Sequence, residues 1–141
     1  MKDETLLDIA AYNYRSALKN YRIVTGDERE LNTVGYLLQQ SVELCIKYNL
    51  EVNWIKYASS HIIEDLLDEA EGCVVFTEEF YNFAPALTRW EAISRCIKNY
   101  KVHQKQIEQA FPLVKQFLVS NGVESQDLVY SHVSVRDISA F

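Results

Sequence analysis

Residues 35–47 read GYLLQQSVELCIK, and this stretch decides the fold. Its polar side chains Tyr36, Gln40, Glu43 and Lys47 stand three or four residues apart, so on a helix they share one face. Leu38, Val42 and Cys45 fall on one flank of that stripe, and Leu37, Leu44 and Tyr48 on the other. Polar groups hemmed in on both flanks must find hydrogen-bond partners. Two arrangements would satisfy them. One is a self-contained helix surface, with Glu43 and Lys47 in the acid-before-base i,i+4 order and Gln40 bonding Glu43. The other is a polar seam shared with a second element.

Helical patterning continues outward on both sides. Thr5 and Asp8 have capping-box spacing, and Leu6, Ile9, Ala10, Ala17, Tyr21 and Val24 recur at helical intervals, which predicts a first helix ended by Thr25-Gly26. Asp27 with Glu30 marks the start of the second helix, which holds the central stretch and ends near Asn49. Ser60 is placed to cap a third, with Ile62, Ile63, Leu66, Leu67 and Ala70 as its apolar stripe and Gly72 closing it in the left-handed conformation. Thr77 caps a fourth, with Glu78 and Glu79 in the first turn where the helix dipole favours them. Pro85 predicts a kink or restart near Ala84, after which Leu87, Trp90, Ile93, Ile97 and Tyr100 carry the core face. A last helix spans about residues 102–119, bends at Pro112 and stops at Asn121-Gly122. The expectation is an all-α fold: an antiparallel up-and-down bundle of about five helices over residues 1–120, one domain, followed by a non-helical tail, 121–141. In that tail Val129, Val133 and Val135 alternate at period two, which fits either a short strand or an irregular arm.

Composition agrees with one packed domain: 141 residues, 48% hydrophobic and 12% aromatic, are enough to bury a core. No run approaches the length needed to cross a bilayer and the N-terminus is acidic, so the reading is a soluble cytoplasmic protein with no membrane partner. Cys45, Cys73 and Cys96 have neither disulfide-framework nor zinc-site spacing and read as small buried hydrophobes. No metal ligand set, cofactor motif, Ser-His-Asp arrangement or glycine-rich phosphate loop is present. The net charge of −6 is unevenly placed: residues 1–84 carry a balance of −8 and residues 85–118 one of +4. Arg89, Arg95, Lys98, Lys101, Lys105 and Lys115 supply the positive charge. They would attract a phosphate-bearing ligand or, equally, form a solvated face balanced by Glu64, Asp65, Asp68, Glu69 and Glu71.

At this point the residues resemble a known family. Gln39, Gln40, Val42, Glu43 and Lys47 match, position for position, the second-helix signature of the HEPN domains, helical bundles related to the C-terminal half of kanamycin nucleotidyltransferase. SHIIEDLL, residues 60–67, is similar to the family's Thr/Ser-His element, and Arg89-Trp90 stands where the family has Arg-Tyr. The resemblance covers roughly residues 5–120. It implies a homodimer that binds a nucleotide, an RNA or a partner protein such as a nucleotidyltransferase; the binding candidates are Gln40, Glu43, Lys47, His61 and Arg89 from the matched motifs, with Lys98 and Lys101 from the basic segment. His61 is read as a structural hydrogen-bond partner of Glu43.

Many HEPN proteins are metal-independent ribonucleases that pair an arginine and a histidine, four to six residues apart, across a dimer. Histidine would move the proton and arginine would hold the phosphate. The nearest approach here is Arg95 with His103, seven residues between them, and on one continuous helix that offset turns them about 80° apart. The expected function is therefore a non-catalytic dimeric HEPN module. The alternative is a toxin or defence ribonuclease with Arg95 and His103 in a composite site.

Overall fold

The computed structural model describes residues 3–23, 29–96 and 102–129, with the backbone alone for 94–96. Five α-helices follow in chain order: α1 Leu6–Arg22, α2 Glu30–Val52, α3 Ile63–Glu69, α4 Glu78–Cys96 and α5 Gln104–Ser120, then a 3-10 turn, Ser125–Leu128. Among the described residues there is no strand, and the fold is the expected all-α bundle. The tail residues 130–141, with Val133 and Val135, lie outside the described residues, as do Thr25, Gly26 and Asp27.

α1 begins with the capping box: the Thr5 hydroxyl accepts from the Asp8 N–H, and the Asp8 carboxylate accepts from the Thr5 N–H. Its buried residues are mostly small, Ala10, Ala11 and Ala17 beside Tyr14 and Leu18, which lets its axis lie close along α2. α2 is the hub, packing against α1, α3, α4 and α5. A helix surrounded in this way buries more than one stripe, and residues on several of its sides are hidden, from Leu31, Val34 and Leu38 through Ser41, Val42 and Ile46 to Leu50. Gly35 matters because the fully buried Trp90 of α4 lies on it: a Cβ there would meet the indole at 3.1 Å.

α2 ends in a Schellman motif, the Ile55 N–H reaching the Leu50 carbonyl (2.9 Å) and the Trp54 N–H the Glu51 carbonyl (3.1 Å). The left-handed position, usually glycine, is Trp54 at φ 59°, with its side chain 93% exposed. α3 differs from expectation at both ends. Ser60 closes only a local turn, accepting from the Ile62 N–H, whereas the Ile63 N–H is capped from outside by the Thr88 hydroxyl of α4 (2.9 Å). That hydroxyl donates in turn to Glu64 (2.6 Å). The helix closes at Ala70 rather than at Gly72, since the Ala70 N–H already reaches the Leu66 and Leu67 carbonyls.

α4 is capped by Thr77, whose hydroxyl accepts from the Phe80 N–H. Of the kink or restart expected at Pro85, the restart is absent: α4 runs through Pro85 as one helix, and α5 likewise runs through Pro112. Both prolines are exposed, so the carbonyl each leaves unmatched one turn back can turn to water. Phe80 of α4 stacks on Phe117 of α5 at 4.4 Å, fixing the two helices to each other. Beyond α5 the chain stays attached to the bundle, with Val123 and Leu128 buried.

Asn121 is the clamp at that end. Its side chain accepts from the Val75 N–H (2.7 Å) and donates to the Val75 and Phe117 carbonyls (2.8 Å each), while its own carbonyl accepts from Asn49 of α2 (3.1 Å). One residue thus joins α2, α5 and the link before α4. The sequence reading saw in Asn121-Gly122 only a helix stop, which Gly122 does supply at φ +116°.

Candidate functional site

The central stretch forms the seam. Gln39, Glu43 and Lys47 follow one another at i,i+4 along α2, and His61 approaches from the segment before α3. Gln39 is fully buried and Glu43 only 3% exposed. The Glu43 carboxylate accepts from the Gln39 amide and from Lys47, and stands 2.9 Å from His61 Nδ1. Gln39 also donates to the His61 carbonyl (3.3 Å), and Gln40 donates to the Gln39 side-chain oxygen (2.8 Å). Burial by itself would raise the Glu43 pKa; the hydrogen bonds from Gln39, His61 and Lys47, with the Lys47 charge, outweigh it and hold the carboxyl below its ordinary value of 4.5. An ionised Glu43 requires His61 to carry its proton on Nδ1 and donate it.

The stripe is therefore the shared seam, not a self-contained surface, and its wiring differs from the sequence expectation. Gln40 does not bond Glu43 directly; Gln39 does, one residue further into the core, and Gln40 supports it from the partly buried side. The expected contact between His61 and Glu43 is present. Lys47 also lies 5.8 Å over the Tyr57 ring, whose hydroxyl donates to Glu51; burial and the acidic partner push that phenol up to about 12.

Tyr36 is half-buried at the head of the stripe and Arg89 is exposed on α4, next to the Thr88 that caps α3. Arg95 stands in the last turn of α4 and its side chain lies outside the described residues; Lys98 and Lys101 lie outside them altogether. His103 is exposed at the N-cap position of α5, with no side-chain capping bond. Arg95 and His103 thus belong to two helices, so the angular offset of a continuous helix does not apply to them.

Of the seven binding candidates, the structure brings together Gln40, Glu43, Lys47 and His61. Buried Cys45, with its thiol pushed up to about 12 by burial, is the inert hydrophobe expected, and Cys73 is half-buried. Among the described residues no group of three His, Cys, Asp or Glu side chains could hold a metal ion. Nor is any helix among them long and apolar enough to cross a membrane.

Four helices packed on a central α2, stitched by a buried carboxylate seam, define a small helical-bundle fold among the described residues. The HEPN domain model matches residues 4–121, and the chain belongs to the HEPN domain family. No curated protein and no solved structure matches it.

Proposed function

We propose that this chain is a non-catalytic, dimeric HEPN module that binds a partner protein, a nucleotidyltransferase being the kind the family resemblance suggests, with a nucleotide or RNA as other ligands of the same resemblance. The observation that carries this reading is the saturation of the seam. Glu43 holds three donors at 2.9 Å and is nearly excluded from solvent, so the most distinctive polar residues of the chain are spent on joining α2 to the α3 segment. A carboxylate fixed in that way is neither a free base nor a ligand for an incoming group.

A specific observation also supports the ribonuclease alternative. The end of α4 and the start of α5, where Arg95 and His103 stand, are consecutive in the chain and no longer bound to one helical register. Light scattering tests the module reading first, with twice the 16.4 kDa chain mass expected; a monomer at every concentration overturns the dimer. Metal-free incubation with total RNA should leave the RNA intact. Cleavage lost in both Arg95→Ala and His103→Ala replaces the module by a composite-site nuclease.

A further inference from the structure

The N-terminal end of α4, the link before it and α5 frame three adjoining clefts of about 300, 70 and 430 Å³, joined through Phe76, Leu113 and Glu78. The floor is apolar. Phe80 and Phe117 stack beneath it, Phe76 stacks on Tyr81 at 5.9 Å, and Val75 presents its side chain 67% exposed at the mouth. The rim is acidic. Asp68, Glu71, Glu78 and Glu79, all exposed, line these clefts, and among the described residues no Lys, Arg or His lines them.

The Tyr81 phenol reports the local field: its hydrogen bond to Asp68, with the charges of Asp68, Glu64 and Asp65, holds it above its ordinary value of 10. An apolar floor favours a bulky hydrophobic side chain, and four carboxylates around it select the company that side chain keeps. A phosphate backbone, an anionic lipid surface or an acidic peptide would be repelled. A segment carrying lysine or arginine on either side of its apolar anchor would be attracted.

We infer that this cleft is a docking site for a basic, apolar peptide segment of a partner protein. The inference rests on the reading of the chain as a protein-binding module and names the partner's chemistry. The anchor enters between Val75, Phe76 and Leu113, and its flanking cations meet Glu78 and Glu79 on one side and Asp68 and Glu71 on the other. Such a site draws its rate and selectivity from the rim and its residence from the floor.

Fluorescence anisotropy with a labelled heptapeptide of leucines flanked by lysines tests this on the full chain. The peptide should bind saturably and its glutamate counterpart should not. Neutralising two rim charges, Glu78→Gln with Glu79→Gln, should weaken binding about tenfold, and raising salt to about 0.5 M should do the same. Val75→Lys, at an exposed position where folding is not at stake, should abolish it, whereas Glu4→Gln with Glu124→Gln, away from the cleft, should leave it unchanged. Equal binding of both peptides, or rim and floor variants that bind like the parent, overturns the site. A parent dimer that becomes a monomer in Val75→Lys also overturns it, by giving the cleft to a second copy. The RNA assay above decides the module reading separately: a protein that spares RNA but fails the peptide test loses the cleft alone.

Discussion

Glu43→Ala tests the seam where its energetics are most legible. The substitution removes the acceptor of three hydrogen bonds at 2.9 Å. The donors do not suffer equally. The side chains of Lys47 and His61 are 15% and 48% exposed, so water can replace much of what they lose. Gln39 is at 0% exposure and would keep only the longer contact to the His61 carbonyl. One buried donor left short costs about 1–3 kcal/mol, and the desolvation that the carboxylate no longer has to bear offsets the smaller losses at Lys47 and His61. The expected destabilisation is thus about 1–3 kcal/mol at neutral pH, read from urea unfolding followed by circular dichroism with an unchanged slope.

The pH dependence adds a second readout. Because the Glu43 pKa is lower in the folded chain than its ordinary 4.5, the folded state binds fewer protons there. Its contribution is complete above pH 4.5 and is lost as pH falls through the folded value, so the gap between parent and variant should close in acid. A neutral-pH gap below about 0.5 kcal/mol, the scatter of ordinary surface substitutions, would refute a buried seam.

Three other substitutions probe the rest of the framework. Trp54→Gly should raise stability by about 0.5–1 kcal/mol, because glycine takes the left-handed position of a Schellman motif without the Cβ penalty and the exposed indole gives up no packing; a lower melting temperature would contradict this. Asn121→Ala should cost about 3 kcal/mol, through the Val75 and Phe117 backbone groups it strands, and a melt within 1 °C of the parent would show that the clamp carries nothing. Gly35→Val should cost about 1–3 kcal/mol, since the new Cβ would stand 3.1 Å from a fully buried indole and its two methyl groups need further space in the α2–α4 contact; an unchanged denaturation midpoint would mean that α2 and α4 can separate freely.

The helices were legible because their signals are local. Thr5 with Asp8, Thr77 with its first-turn acids and the apolar spacing of residues 35–47 are each settled within a few residues, and the structure carries all three. What escaped depends on partners far along the chain. Ser60 has the right chemistry for a cap, yet Thr88 reaches the Ile63 N–H from another helix, 25 residues away. Asn121 has turn chemistry, yet its side chain binds the backbone of Val75, 46 residues upstream in the link before α4. The seam divides along the same line. Its membership was visible in the stripe and in His61, but the choice of Gln39 over Gln40 as the Glu43 partner follows from which side of α2 the core occupies. The acidic clefts were the least visible, because Asp68 and Glu71 read as part of an acidic run and Glu78 and Glu79 as first-turn partners of a helix dipole until α3, α4 and the link between them fold together.

The claim that the HEPN signature here serves architecture rather than chemistry is tested most directly by RNA integrity. The parent, Arg95→Ala and His103→Ala proteins, prepared identically and matched in helicity and mass, would be incubated without metal ions with one labelled single-stranded RNA and sampled over hours. The account predicts full-length RNA in all three reactions. Cleavage by the parent that disappears in both variants would contradict it.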